Sequence, residues 1–321
     1  MNLFKAKMMR FVIRLIMRIC WWGKRPTKHS EGLVSAKRTE ETIAVNNGCI
    51  RAFVYTPTAP APRPIIVYYH GGGFVVGDID AYDPVCRDIC EKSGCLVVSI
   101  DYRLAPEYTC PTAADDSLAG LEWVMAYGQK LGGDPTRIFV AGDSAGGNLA
   151  AVTALQARDR FPETIKGQIL IYPVTDHYSA ETASYSENAT GQGLTRNQMI
   201  WFWDQYLPSK LPKHDLATPL TLSNHTDLPP ALVITAELDP LRDEGNAYAE
   251  KLLNSQVDVQ DSMYRGEQHG FFGSFGPGKA HQKALSEIVT WIEKQSDKQR
   301  ETSITGCRIS NRHSKVSSES S

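Results

Sequence analysis

A chain of 321 residues with 42% hydrophobic and 22% charged side chains can bury a substantial core. That balance excludes wholesale disorder, a collagen-like rod and a multi-span membrane protein. Its 34 basic and 36 acidic residues leave a net charge of −2, so no general basic surface for nucleic acid is expected.

The charge is unevenly placed. Eight bases and no acid fall in residues 1–28, which leaves 26 bases against 36 acids for the rest. In that first segment Phe4, Met8, Phe11, Val12, Leu15, Ile16 and Ile19 recur every three or four positions, while Arg10, Arg14 and Arg18 form a separate row. This is the pattern of an amphipathic helix with a basic face. Arg14 and Arg18 interrupt the apolar run, so it is neither a membrane span nor the core of a signal peptide. It is either a lid helix packed over the body, which is the preferred assignment, or an interfacial helix on anionic lipid with Trp21 and Trp22 at headgroup level. Residues 1–40 are assigned to this helix as part of a cap. The expected compartment is the cytoplasm, with peripheral contact at the inner membrane face through residues 1–28 as the second option.

From about residue 40 strands and helices alternate. Thr42–Val45 and Ile50–Tyr55 read as an antiparallel pair joined across Asn46-Asn47-Gly48. After a proline-rich connector, Ile65–Tyr69 is a continuous apolar run, as in a strand buried on both faces. Similar runs follow at Leu96–Ile100, Ile138–Ala141, Gln168–Tyr172 and Ala231–Thr235, with a further strand at Asp258–Tyr264. Helical patterns occupy about 81–93, 113–131 and 145–160. The alternation predicts an α/β fold with a mostly parallel central sheet and helices on both faces. In such sheets the residues just beyond the carboxyl ends of the strands are the ones to inspect. The core is expected in two parts, 41–176 and 229–296. Between them, residues 177–228 are irregular apart from Thr195–Leu207 and form a cap insertion, whose aromatics either line an apolar pocket or pack the insertion's own small core. Phe74, Trp201 and Trp203 are the pocket candidates. The Ser-rich tail, 297–321, lacks apolar periodicity and is expected to be disordered. The seven cysteines show no C-x-x-C and no regular framework, which points to reduced thiols and a reducing compartment. Cys86 and Cys90 share a helix face as small hydrophobes, and no metal site is expected.

The chemistry concentrates in a few places. Gly142-Asp143-Ser144-Ala145-Gly146 sits between a strand and a helix start. There a sharp turn needs glycine on both sides and thrusts the serine hydroxyl out at a helix N-terminus. A serine is a poor nucleophile without a base. Of eight histidines, His269 follows a predicted strand and lies in a loop that can reach the serine. His281 falls on the last helix, and His29, His177, His214, His225 and His313 read as surface residues. A neutral imidazole needs an acceptor on its far nitrogen. Asp239, just after Ala231–Thr235, is the best placed, with Glu237 and Asp243 as rivals and Asp243 better suited to cap the next helix. His70-Gly71-Gly72-Gly73-Phe74 directly follows Ile65–Tyr69 and offers backbone N–H groups to an oxyanion, joined by the amide of Ala145. His70 is read as a residue that orients this loop.

Taken in order, His70-Gly-Gly-Gly-Phe74, Asp101-Tyr-Arg-Leu-Ala-Pro-Glu107, Gly142-Asp-Ser-Ala-Gly-Gly-Asn148, Asp239-Pro-Leu-Arg-Asp-Glu-Gly245 and His269-Gly-Phe271 resemble the hormone-sensitive-lipase-like esterases, bacterial family IV of the α/β-hydrolases. The resemblance spans about residues 40–295. It implies Ser144 as nucleophile, His269 as base, Asp239 as its partner, and Gly72, Gly73 and the Ala145 amide as the oxyanion hole. It also implies hydrolysis of short- to medium-chain carboxylic esters without a cofactor, by a monomer or homodimer. A membrane-docked lipase or an amidase with the same triad, and a binding protein that has lost turnover, are the alternatives.

Overall fold

A computed structural model describes residues 36–191, 193–207, 214–273 and 278–316. The amphipathic helix expected in residues 1–28 lies outside the described residues, as do 317–321.

Among the described residues eight strands form one sheet in the order β1-β2-β4-β3-β5-β6-β7-β8. They are β1 Lys37–Val45, β2 Gly48–Thr56, β3 Arg63–Tyr69, β4 Leu96–Ile100, β5 Gly133–Asp143, β6 Ile165–Ile171, β7 Ala231–Leu238 and β8 Val259–Gln268. Only the β1–β2 and β2–β4 pairs are antiparallel. The β1–β2 hairpin turns at Asn46 and Asn47, with Val45 opposite Gly48. Asn47 takes a positive φ of 60° there, as a short hairpin turn demands.

The helices follow from which faces the strands must cover. In β3, Ile65, Val67 and Tyr69 face one apolar cluster while Ile66 and Tyr68 face the other. A strand buried on both sides in this way explains the uninterrupted hydrophobic run. On the first face lie α2 (Thr112–Tyr127), α3 (Ala145–Arg160) and α6 (Arg242–Asn254), through residues such as Leu121, Leu149 and Leu252. On the second lie α1 (Asp83–Ser93) and α7 (Lys279–Val316). Val85, Cys86, Ile89 and Cys90 from α1, and Ala284, Leu285, Ile288, Trp291 and Ile292 from α7, recur at the three-and-four spacing of a buried helical stripe. Full burial of each large apolar side chain contributes roughly 1.5–3 kcal/mol. Trp291 is held closely, since a Cβ on Gly167 of β6 would meet its ring at 2.4 Å. Among the described cysteines, Cys49 is exposed and Cys86, Cys90, Cys95 and Cys110 are buried, all as free thiols. Burial pushes the Cys95 and Cys110 thiols up to about 11, which keeps them protonated and inert.

Two expectations are corrected. The serine-rich stretch from Asp297, expected to be disordered, continues α7 as helix to Val316. Lys298, Gln299, Arg300 and Glu301 favour helix, and extending a helix already nucleated against the sheet costs far less than starting one. Asp243 does not cap α6. Leu241 occupies the N-cap and Asp243 lies inside the first turn, where its carboxylate accepts the Ser184 N–H at 2.7 Å.

Between β6 and β7 the described residues make short helices, a turn at Tyr178–Ala180, α4 (Ala183–Glu187), α5 (Arg196–Tyr206) and a turn at Pro219–Thr221. α5 starts at a capping box in which Thr195 and Gln198 satisfy each other's backbone N–H groups. Among the described residues no helix is long and apolar enough to cross a membrane.

Candidate active site

The strand order reverses at β3 and β5, because β4 lies to one side of β3 and β5 to the other. The loop after β3 and the turn after β5 therefore open a crevice at the carboxyl end of the sheet.

Ser144 stands alone between the end of β5 at Asp143 and the start of α3 at Ala145. Its backbone takes φ 57° and ψ −119°, a conformation costing about 1–3 kcal/mol. The strain is held by its neighbours. The Ser144 N–H donates to Ile171 O at 2.8 Å, and its carbonyl accepts from Asn148 N at 3.1 Å and Val174 N at 3.2 Å. The turn tolerates no side chain at Gly142 or Gly146. A Cβ on Gly142 would meet the Gly146 carbonyl at 2.3 Å, and one on Gly146 would meet Tyr69 O at 2.0 Å.

Two residues far along the chain reach this serine. His269 follows β8, and its Nε2 lies 2.9 Å from Ser144 Oγ. Asp239 follows β7, fully buried, with Oδ2 2.6 Å from His269 Nδ1. A carboxylate only accepts, so Nδ1 carries the imidazole hydrogen and Nε2 is left to accept from the serine hydroxyl. The second Asp239 oxygen, Oδ1, accepts the Leu241 N–H at 2.9 Å, which fixes the carboxylate plane. The rival acids are engaged elsewhere. Glu237 accepts Gly266 N at 2.7 Å, and Asp243 holds Ser184.

The loop after β3 is pinned carbonyl by carbonyl. The His70 carbonyl accepts Tyr102 OH at 2.7 Å. The Gly71 carbonyl accepts His70 Nδ1–H at 2.7 Å, and the Gly72 carbonyl accepts Val75 N at 3.1 Å and Val76 N at 3.0 Å. In a trans peptide the N–H points opposite the C=O. Fixing the Gly71 and Gly72 carbonyls therefore fixes the N–H groups of Gly72 and Gly73 to point away from these partners. His70, buried and stacked on Tyr102 at 4.3 Å, thus holds the loop as a brace inside it. Ala145, the first residue of the 16-residue α3, adds an N–H that has no partner within its own helix.

Asp143 joins the two halves. Its Oδ1 accepts Tyr68 OH at 2.8 Å and Gly71 N at 3.0 Å, and its Oδ2 accepts Tyr82 OH at 2.9 Å. Burial raises its carboxyl above the usual range, against the pull of the two tyrosine hydroxyls. No sequence signal marks this tyrosine cage, since Tyr68 and Tyr82 read only as strand and helix residues.

A second buried acid also escaped sequence reasoning. Glu244, in the first turn of α6, accepts Thr175 N at 2.8 Å and Asp176 N at 3.3 Å, tying the loop after β6 to the helix that follows Asp239. Burial holds its carboxyl well above the ordinary 4.5. An acid with a raised folded value stays protonated in the fold while the unfolded chain ionises, so stability is lost as pH rises through that window. Glu244→Gln removes this loss while keeping an oxygen for both N–H groups. In urea denaturation the variant is expected to match the wild type near about pH 4 and to exceed it increasingly toward about pH 8. An unchanged difference across that range would show that Glu244 is not held neutral.

The structure brings Phe74 and Trp203 together, with ring centroids 6.0 Å apart. Phe74 stacks on Tyr206 at 3.9 Å, and Trp203 packs against Phe74, Tyr206 and His177. Trp201 is half-buried with its ring edge-on to Phe202. Neither His177 nor His225 is a surface residue. Both are buried, with His225 Nε2–H donating to Pro219 O at 2.9 Å, and burial lowers the basicity of each ring. Among the described residues no group of three or more His, Cys, Asp or Glu could hold a metal ion.

A serine hydroxyl, an imidazole and a carboxylate in one chain of hydrogen bonds, beside a glycine loop whose carbonyls are pinned, are the parts of a nucleophilic hydrolase. A family model for the alpha/beta hydrolase fold matches residues 66–273. The carboxylesterase NlhH of Mycobacterium tuberculosis is 41% identical over 254 residues, covering 77% of this chain and 79% of its own. The ethyl acetate hydrolase of Pseudomonas putida is 38% identical over 261 residues, covering 78% and 82%. The crystal structure of EstE1, a thermophilic carboxylesterase cloned from a metagenomic library, superposes with a TM-score of 0.82 at 42% identity, over 88% of this chain and 97% of that one. The chain belongs to the α/β-hydrolase fold family and, within it, to the hormone-sensitive-lipase-like esterases.

Proposed function

We propose that this carboxylic ester hydrolase cleaves short- to medium-chain esters through an acyl-enzyme on Ser144. His269 Nε2 takes the hydroxyl proton as Oγ attacks the ester carbon, and Asp239 stabilises the imidazolium that results. The N–H groups of Gly72, Gly73 and Ala145 meet the oxyanion. As the intermediate collapses, His269 returns the proton to the departing alcohol. Water then repeats the sequence on the acyl-enzyme and releases the acid.

The observation that carries this reading is the continuous Asp239–His269–Ser144 chain at 2.6 and 2.9 Å. It is assembled from the ends of three different strands, and the rival acids Glu237 and Asp243 are bonded elsewhere. The names of the carboxylesterase and ethyl acetate hydrolase relatives support small carboxylic esters as substrates. Residues 177–228 serve as the cap over the two core segments, 41–176 and 229–296. The preference for shorter acyl chains is supported by the aromatic packing between the cap and the glycine loop, where Tyr206 stacks on Phe74 and Trp203 packs against both.

A series of p-nitrophenyl esters from acetyl to palmitoyl tests the substrate class. The highest kcat/KM is expected between acetyl and octanoyl, with a fall of about tenfold or more by palmitoyl once the chain outgrows the pocket. A maximum at palmitoyl, or faster turnover of emulsified triglyceride than of soluble esters, would make the protein a lipase instead.

A further inference from the structure

The cap does more than cover the crevice, because α5 is seated directly on the glycine loop. A Cβ built on Gly73 would lie 2.4 Å from Cδ1 and Cγ of Phe202 and 2.7 Å from Cδ2, so the face of the Phe202 ring rests on that glycine. One turn further along the same face of α5, at the i+4 position, Tyr206 stacks on Phe74 with ring centroids 3.9 Å apart and planes 5° from parallel. Adjacent loop residues are thus each pressed by an aromatic ring from one helix. Trp201 backs Phe202 at 5.4 Å, and Phe202 is only 7% exposed. The helix is itself tied down, since Tyr206 O accepts Cys110 N at 2.9 Å while Phe74 O accepts Ala105 N at 2.9 Å.

The loop needs such a brace. Gly72, Gly73 and Phe74 all have positive φ, at 125°, 60° and 63°, and glycines have little intrinsic preference to stay there. The carbonyl hydrogen bonds fix the loop from beneath, through His70, Val75 and Val76. On the cap side of Gly73, Phe202 is what meets it. Oxyanion stabilisation depends on donors that are already aligned when charge develops, and a ring on the Cα holds the flanking N–H without competing for it.

We propose that Phe202 is a positioning residue for the oxyanion hole: by bearing on Gly73 it keeps that N–H aligned, so the hole is complete only while α5 is docked. The inference rests on the reading of Gly72 and Gly73 as oxyanion donors. It makes the cap a contributor to turnover as well as to substrate fit.

The test compares Phe202→Ala and Phe202→Leu with the wild type on p-nitrophenyl acetate. It measures kcat and KM separately, the Ki of an alkyl boronic acid that forms a tetrahedral adduct on a serine, and the melting temperature. Losing one oxyanion donor outright costs about 10²–10³ in turnover, so loosening one predicts a fall in kcat of roughly ten- to a hundredfold for Phe202→Ala. KM should stay within about twofold, the boronate should weaken in parallel with kcat, and Phe202→Leu should recover most of both. Both half-reactions pass through an oxyanion, so kcat reports the effect whichever is slower. If Phe202→Ala does not fold, Phe202→Leu carries the test, with a smaller parallel loss in kcat and boronate affinity expected. A rise in KM at constant kcat, unchanged boronate affinity, or no change at all would overturn the proposal. Ser144→Ala in the same assays separates the two levels. Turnover close to wild type in Ser144→Ala would defeat the acyl-enzyme reading itself, whereas a Ser144→Ala reduced to residual activity beside unaffected Phe202 variants would defeat only the role of Phe202.

Discussion

His269→Ala is expected to lower kcat by about 10⁶-fold, and Ser144→Ala by a similar factor, with the double variant no worse than either alone. The reason lies in the shared proton. Ser144 Oγ donates to His269 Nε2 at 2.9 Å, so the serine without its base is an alcohol with an ordinary, unreactive hydroxyl, and the base without its serine has nothing to activate. Two groups acting on one step give one loss. Residual hydrolysis above the uncatalysed rate should persist in all three, because the Gly72, Gly73 and Ala145 amides still polarise a bound ester for attack by water. Steady-state kinetics of the two single variants and the double variant on one soluble ester decide the matter. Additive losses, with the double variant far below either single one, would mean that serine and histidine serve separate steps.

Asp239→Asn is expected to lower kcat by about 10⁴-fold while leaving the fold intact. Here the structure fixes which way the new amide must turn. Leu241 N–H donates to Asp239 Oδ1 at 2.9 Å, so the asparagine keeps its oxygen there and presents its NH₂ to His269 Nδ1. That nitrogen must then accept, the imidazole hydrogen moves to Nε2, and the ring can no longer receive the serine proton. Circular dichroism should show an unchanged fold and melting temperature alongside the lost turnover. Near wild-type kcat in Asp239→Asn would assign the orienting role to another acid.

Much of this is legible in the amino-acid sequence alone. The runs at Ile65–Tyr69 and Leu96–Ile100 are apolar at every or nearly every position because both faces of the strand are covered, and that signal survives without context. Ser144 is legible because the backbone around it is special, with glycines at 142 and 146 where a Cβ would strike another part of the chain, and His269 because it lies in a loop directly after a strand. What escaped were side chains whose partners are backbone atoms or distant rings. His177 and His225 sit among polar neighbours, yet one packs against Trp203 and the other bonds a proline carbonyl. Glu244 reads as an ordinary acid in a helix's first turn, and only the loop after β6, folded onto it, makes it a buried carboxyl. The aromatic run at 201–203 announced a buried helix face but not which ring meets the catalytic loop. One residue's difference in register decides whether Phe202 or Trp203 rests on Gly73. The tail misled for a related reason, since serine content speaks to isolated propensity and not to continuation of a helix already docked on the sheet.

The most direct measurement is covalent. The protein is incubated with an alkyl phosphonate p-nitrophenyl ester, the released p-nitrophenol is counted, and the labelled peptide is mapped by mass spectrometry. One equivalent released per chain, in step with loss of activity, and an adduct located at Ser144 is the predicted result. Complete inactivation with the adduct on any other residue, or full esterase activity retained by a chain fully labelled at Ser144, would contradict the account.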